Sequence, residues 1–474
     1  MMNGYVKAIS KCAAALSLFH IAATLFVRKS NLLLLAKTQT VTEAGFLALP
    51  NPATRPPLDS WEAALCGALF FTLTSGALAL CTGIFAPSLH RLGLLSRKRA
   101  MGLHVVLCLL FFLLIGVTTK TTPLLIGAAG VYLILLPSGE RVTRVRLTSL
   151  LIHALIPVLL ALCIAGTHVL LPQGLFSGFR DAFLFDNPAG NAVRNFYYTY
   201  TLYPAEAFKS PNQKSQLTVH VPGAPDPAIT SALRKMGHLP VSTGPWDYTL
   251  TRNEGTLSLC TAKVEHTVNT QQFLTDPTPV FREFAQKADA FAPLRTLTWY
   301  ALFTGFPLLF YLLFHTVITL MAGLFCPLAL AARISTVGVA AFAAFCMLLL
   351  AVGLSLPEGT QTALDDLSTL SKESTDATGV ITRAIDHESA LVRYRAALAI
   401  PSIRAPRLKH ALLLQMSKDR DINVVCQALG AMGKTREPRY LRELEEAVRT
   451  RPEWYVQWYG YRAMRRLGWR PNPR

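Results

Sequence analysis

Five histidines stand within or beside apolar runs: His20, His104, His153, His168 and His315. An ionisable group inside a membrane is a functional candidate by default. His20 and His315, at mid-depth of separate runs, are the pair a b-type haem or a proton relay would use. Neutral imidazole is tolerated there, and no acidic residue lies within the same apolar cores to pair with it, so this is the weaker reading. A transport path needs broken helices near mid-membrane. Pro157, Pro307 and His315, with Gly305 beside the second proline, are the candidate pathway residues, although proline also serves packing in such helices. Nine cysteines occur, mostly in apolar runs, with no CxxC or Cys/His ligand spacing. GxSxG, HExxH, Walker-type and paired-carboxylate patterns are all missing from the sequence. No catalytic or metal-binding residue is nominated, and no cofactor is expected.

The elements that would position these residues are mostly apolar. Charged residues make up 16% of the chain, against about a quarter in soluble domains. The net charge of +18 sits largely in short loops between apolar runs, which fits the positive-inside rule better than a nucleic-acid surface. Seven runs are long or apolar enough to be read as crossings: Cys12–Val27, Trp61–Phe85, Met101–Thr118, Thr122–Leu136, Leu147–Leu171, Thr296–Phe325 and Ile334–Leu356. The first is read as an uncleaved helix, because Arg28 and Lys29 follow at once without a small-x-small cleavage site. Leu32–Ser60 is read as a loop. Ten basic residues fall on one side of this arrangement and five in the opposite short loops. That asymmetry predicts a cytoplasmic N-terminus, with both soluble segments extracytoplasmic.

Four domains are expected: membrane helices 1–5 over 1–171, an α+β domain over 172–293, membrane helices 6 and 7 over 294–356, and an α-solenoid over 357–474. In the α+β part, Asn187-Pro188 splits two helices, and Val193, Phe196, Tyr197 and Tyr200 form an aromatic stripe. That stripe suits either a membrane-interface belt or the core of the soluble domain. Leu217–Val221, Leu239–Ser242, Trp246–Arg252 and Thr256–Ala262 read as strands, with Asp226 capping a helix to about Met236. Phe281–Ala292 is amphipathic.

Leu370–Gly379 reads as a linker or frayed helix, and beyond it a repeat appears. Val392, Val424 and Val456 recur at a spacing of 32 residues. Ala396, Ala428 and Gly460 follow four places on, then Ala399, Ala431 and Ala463 at seven, and Ile400, Met432 and Met464 at eight. Those offsets share one helical face. Asp386 and Asp419 precede the first two units as capping or turn residues. Leu408–Met416 and Arg439–Val448 supply the second helices. The segments DHESALVRYRAALAI and DRDINVVCQALGAMG resemble short bacterial HEAT-like repeats, over Asp386–Trp469. The third unit, WYVQWYGYRAMRRLGW, departs from the pattern as a terminal cap would. The whole chain resembles bacterial multi-pass membrane proteins with a C-terminal HEAT-like domain, a likeness that implies no particular activity.

The expectation is therefore a mainly α protein whose solenoid binds a partner protein, as a scaffold of an envelope complex. A transporter or channel subunit is the alternative. Partner contacts are expected at Trp454, Trp458, Tyr461, Arg462, Arg465 and Arg466, an aromatic and basic face that could also dock on membrane lipid or on the α+β segment. Nucleic acid is not an expected partner.

Overall fold

The computed structural model describes residues 2–116, 118, 120–137, 185, 188–201, 206, 209–223, 226–327, 330–331, 333–338, 358–370 and 377–473. The expected run Leu147–Leu171, with Pro157, and most of Ile334–Leu356 lie outside them. The protein is mainly helical with a small sheet. It divides into two units, Met1–Lys29 with Ala64–Ala182 and Ala290–Leu354, and Ser30–Ala63 with Phe183–Asp289 and Ser355–Arg474.

The first unit is a set of apolar helices. α1 (Met2–Glu43) enters it; α2 (Trp61–Phe71), α3 (Ala77–Arg91), α4 (Arg97–Ile115) and α5 (Thr122–Ile134) follow. α10 (Ala292–Tyr300) and α11 (Phe306–Gly323) also belong to it. Among the described residues, four helices are long and apolar enough to cross a membrane: Val6–Glu43, Trp61–Arg91, Arg97–Ile115 and Ala292–Gly323. Small residues bring the backbones close. A Cβ on Gly127 would stand 2.7 Å from Ala22 Cβ, and one on Gly305 would stand 2.9 Å from the Leu78 nitrogen. Phe26 meets Phe71 edge-on at 5.1 Å. Two π turns interrupt the α geometry, Thr72–Gly76 between α2 and α3 and Ala301–Gly305 between α10 and α11.

Two expectations change here. The first helix does not stop at Val27, and the loop expected from Leu32 begins only after Glu43. Leu32–Ala36 are good helix formers, and neither glycine nor proline interrupts the chain from Met2-Asn3-Gly4 onward until Gly45. Nor does Pro307 break its helix, which runs on to Gly323. Proline removes one ladder hydrogen bond and crowds the carbonyl four residues back; the π turn at Ala301–Gly305 widens the helix at that point.

The second unit contains the sheet and the solenoid. α6 (Pro188–Tyr200) precedes β1 (Leu217–His220), α7 (Pro227–Met236), β2 (His238–Pro240), β3 (Tyr248–Asn253), β4 (Thr256–Cys260) and β5 (Glu265–Asn269). The strand order is β2-β1-β3-β4-β5, with β1 parallel to both neighbours and the remaining pairs antiparallel. Asp226 caps α7 by accepting from the Ala228 amide at 2.8 Å. Gly237, at φ +87, ends α7 in the left-handed region that an L side chain disfavours. α8 (Thr270–Thr275) and α9 (Pro277–Lys287) follow. Phe281 and Phe284 of α9 join Leu217, Val219, Leu250 and Leu259 in a buried core.

β5 departs from expectation because its residues are mostly polar: Glu265, Thr267 and Asn269 are exposed, and His266 and Val268 between them are half-buried. The amphipathic helix expected over Phe281–Ala292 runs earlier, since Asp276 caps it at Thr278 and Pro277 starts it. In the aromatic stripe, Val193 and Tyr197 are exposed, so those residues do not form the core of the soluble domain.

Within the second unit, polar groups tie the last part of α1, from Ser30 on, to the sheet. Asp247 accepts from Lys37 and, at 3.0 Å, from the Thr218 amide, with Lys214 at 3.4 Å. Burial opposes ionisation of Asp247, but the two ammonium groups overcome it and hold the carboxyl well below its ordinary range. His238 shares a 2.7 Å hydrogen bond with the Tyr248 hydroxyl, and burial lowers its pKa to about 3.

The solenoid comprises α12 (Glu358–Thr369), α13 (Ala377–Ile385), α14 (Ala390–Ala399), α15 (Pro406–Met416), α16 (Ile422–Lys434), α17 (Leu441–Thr450) and α18 (Trp454–Arg466). Of the expected linker Leu370–Gly379, residues 377–379 already belong to α13. Val392, Val424 and Val456 are fully buried at equivalent places on α14, α16 and α18, and so, at the eighth offset, are Met432, Met464 and Ile400, which opens the 3-10 turn after α14. Burying each such side chain contributes about 1.5–3 kcal/mol. The repeated face is thus the interface between successive units.

Candidate partner-binding cleft

The N-termini of α14, α16 and α18 open onto one cleft of about 1040 Å³, all of it within the second unit. α6 contributes Arg194 and Tyr198 to another wall, and Arg55 comes from the loop between α1 and α2. Each N-terminus exposes amides without intrahelical partners and carries partial positive charge. Ser389 caps α14 by accepting from the Val392 amide, and Asp421 caps α16 by accepting from Asn423. Glu453 precedes α18 without making a side-chain cap.

Two buried ion pairs frame the cleft. Arg194 Nη2 lies 2.6 Å from Asp421 Oδ2, with both side chains under a tenth exposed. The same guanidinium lies 4.9 Å from the Phe185 ring, and its Nε and Nη1 have no hydrogen-bond partner. Removing one member of such a pair costs about 3–5 kcal/mol because the other charge is left buried. Arg393 grips Asp419 with Nε at 2.8 Å and Nη2 at 3.2 Å, and its Nη1 donates to the His387 and Glu388 carbonyls. Asp419 is therefore a turn residue that links two repeats, while Ser389 and Asp421 do the capping. Asp386 accepts from Gln415 at 2.9 Å. Tyr198 stacks on Tyr455, ring centroids 4.5 Å apart, and fixes α6 to α18.

Behind the cleft a loop is clamped by Gln457, which is fully buried. Its Oε1 accepts from the Asn51 amide at 3.0 Å, and its Nε2 donates to Thr54 Oγ1 at 2.8 Å and to the Arg451 carbonyl at 2.7 Å. Asn51 Nδ2 donates to the Val448 carbonyl.

Of the residues expected to meet a partner, only Trp454 lines the cleft, and it is 5% exposed. Tyr461 is buried in the solenoid core. Trp458 lies between Arg462, 4.4 Å from the ring centroid, and Lys209 at 5.0 Å. Arg465 donates to the Arg234 carbonyl at 2.9 Å and to that of Lys235, at the C-terminus of α7 where carbonyls favour a cation. Arg462 and Arg466 are exposed. The aromatic and basic face of the last repeat is thus engaged in part with the α+β segment of its own chain.

Arg194, Gln457 and Asn51 were not singled out from the sequence. One signal marked two of the buried polar residues: the place after each registered valine holds Arg393, Val425 and Gln457. A charged or amide side chain there, against an apolar one in the middle unit, indicates a specific partner.

The histidines of the apolar unit make local contacts. His20 Nδ1 lies 2.9 Å from Thr72 Oγ1, His104 Nε2 lies 2.8 Å from the Tyr132 carbonyl, and His315 Nε2 lies 3.4 Å from Thr336 Oγ1. Among the described residues no His, Cys, Asp and Glu cluster is arranged to hold a metal. No curated protein and no solved structure matches the chain. A family model described as HEAT repeats matches residues 359–465, which begins with α12, before the expected start at Asp386, and ends in α18. The C-terminal part of this protein is a HEAT-repeat solenoid.

Proposed function

We propose that this chain is a membrane-anchored scaffold whose HEAT repeats hold a partner protein of an envelope complex. The observation that carries it is the open cleft on a HEAT-repeat solenoid, in a chain whose described residues also include four helices suited to crossing a membrane. HEAT repeats generally mediate protein interactions. In this reading the apolar runs make about seven crossings, and both soluble segments lie on the extracytoplasmic side of a bacterial inner membrane. Lipid then surrounds the exposed apolar faces of α4 and α11. Affinity purification of the full chain from mild detergent, after crosslinking in cells, should return a stoichiometric partner. Recovery of the chain alone would defeat the proposal. Reporters at Arg474 and near Gln213 should give the same sidedness.

A second reading, a transport path through the apolar unit, draws on the π turns at Thr72–Gly76 and Ala301–Gly305, which pack together. Such turns recur at functional sites. Proteoliposomes no leakier than protein-free vesicles to H⁺, Na⁺, K⁺ and Cl⁻ would remove it.

A further inference from the structure

We propose that the cleft takes an acidic peptide segment of the partner, its carboxylates held by Arg55, Arg420 and Arg451. This rests on the scaffold reading and specifies what the solenoid recognises. Five arginines line the cleft, and two are committed, Arg194 to Asp421 and Arg393 to Asp419. The other three have no carboxylate partner among the described residues. They come from three separate stretches of chain: the α1–α2 loop, the turn before α16 and the turn before α18. Among the described residues the Arg420 side chain donates to the Glu388 carbonyl and that of Arg451 to the Ser417 carbonyl, each at 3.3 Å. The Arg55 amide donates to the Pro452 carbonyl at 3.0 Å, which holds that residue beside the start of α18.

Opposing these cations are Glu388 and Glu453, which make no ion pair among the described residues, and Glu453 Oε2 is buried without a hydrogen-bond donor. Three helix N-termini add positive potential, and the one at α18 lacks a side-chain cap. Independently of the helix ends, Arg194 is 5% exposed on the cleft wall, and two of its N–H-bearing nitrogens have no acceptor. A guanidinium presents a planar fork that matches a carboxylate. Five guanidinium groups thus face four carboxylates in the lining, which leaves the cleft with an excess of positive charge.

A peptide suits the site better than a small anion. The volume of about 1040 Å³ lies just above the range of small-molecule pockets, about 300–1,000 Å³. Tyr198, Ile422, Val425 and Trp454 place apolar surface between the charged groups. Stacked helical repeats characteristically present such surfaces to extended chains.

The test uses the full chain in detergent with fluorescein-labelled octaglutamate, octaserine as a neutral control, and phosphatidylglycerol vesicles. Octaglutamate should bind saturably and weaken as salt rises from about 50 to 500 mM. The Arg55→Glu, Arg420→Glu, Arg451→Glu triple variant should bind about tenfold or more weakly while its thermal unfolding stays cooperative. A control triple variant away from the cleft, Arg383→Glu, Arg407→Glu, Arg442→Glu, should bind as the parent does. No saturable binding, equal loss in both variants, or equal affinity for octaserine would overturn the proposal. Vesicle binding through the same arginines without octaglutamate binding would assign the cleft to lipid and overturn it too. A crosslinked partner that persists in the cleft variant would leave the scaffold reading intact and refute this inference alone.

Discussion

Replacing Gln457 with methionine keeps the length and most of the volume of the side chain but removes every hydrogen bond it makes. The packing loss is therefore small and the polar loss dominates. The Asn51 amide loses its acceptor at 3.0 Å in a fully buried setting, and the Arg451 carbonyl loses a donor at 2.7 Å. An unsatisfied buried group costs about 1–3 kcal/mol, so the two together cost about 3 kcal/mol after partial relaxation. Thr54 keeps its bond to the Asn51 carbonyl at 2.7 Å, so the loop turn itself persists. The loss should localise to the contact between loop and solenoid. Hydrogen exchange of the Asn51 amide, followed by mass spectrometry on peptides covering residues 48–60, should accelerate about 100-fold, as about 3 kcal/mol requires. Gln457→Glu should be worse, because it retains an acceptor for Asn51 but faces the Arg451 carbonyl with a buried charge. An acceleration below about fivefold in the methionine variant, with α18 still protected, would show that Gln457 does not hold the loop.

Two further outcomes follow from geometry on the same unit. Gly433→Ala should destabilise the solenoid by about 1–3 kcal/mol, because the new Cβ would lie 2.7 Å from Ala463 Cα, a backbone atom that cannot yield. Gly430→Ala, whose nearest neighbour is Tyr459 Cδ1 at 3.7 Å, should be neutral or stabilising by up to about 1 kcal/mol, and denaturant midpoints compare the two. His238 titrates from an ordinary 6.5 to about 3 in the folded domain, so between those values the unfolded chain alone takes up its proton. Stability should therefore fall as pH drops below 6.5, by about 2 kcal/mol at pH 5, and His238→Gln should flatten that slope without changing behaviour above pH 7. Denaturant unfolding followed by tryptophan fluorescence reads it; an unchanged slope in the variant would refute the assignment.

The solenoid was legible because its signal is redundant. Val392, Val424 and Val456, with their partners at three further offsets, repeat one packing solution, and each copy reinforces the others. The α7 cap at Asp226 and the β3–β4 hairpin were equally legible, since local chemistry determines both. β5 was not, because a polar edge strand has no apolar alternation to read and gains its identity from β4. The extension of α1 to Glu43 was hidden by Arg28 and Lys29, which end an apolar run without ending a helix. The cleft was invisible for a different reason. Arg55, Arg194, Arg420 and Arg451 are distant in sequence, and only tertiary pairing distinguishes the committed arginines from the uncommitted ones. Trp458 and Arg465 drew attention by their types, yet their contacts are largely with their own chain.

The π turns carry a consequence for phase. One extra residue in a turn rotates everything after it by about 100° relative to an uninterrupted α-helix. A helical wheel drawn straight through Trp61–Arg91 or Ala292–Gly323 therefore puts the far half on the wrong bearing. A cysteine-accessibility scan along either helix should show its periodic pattern break at Thr72–Gly76 and at Ala301–Gly305, then resume about one residue out of step.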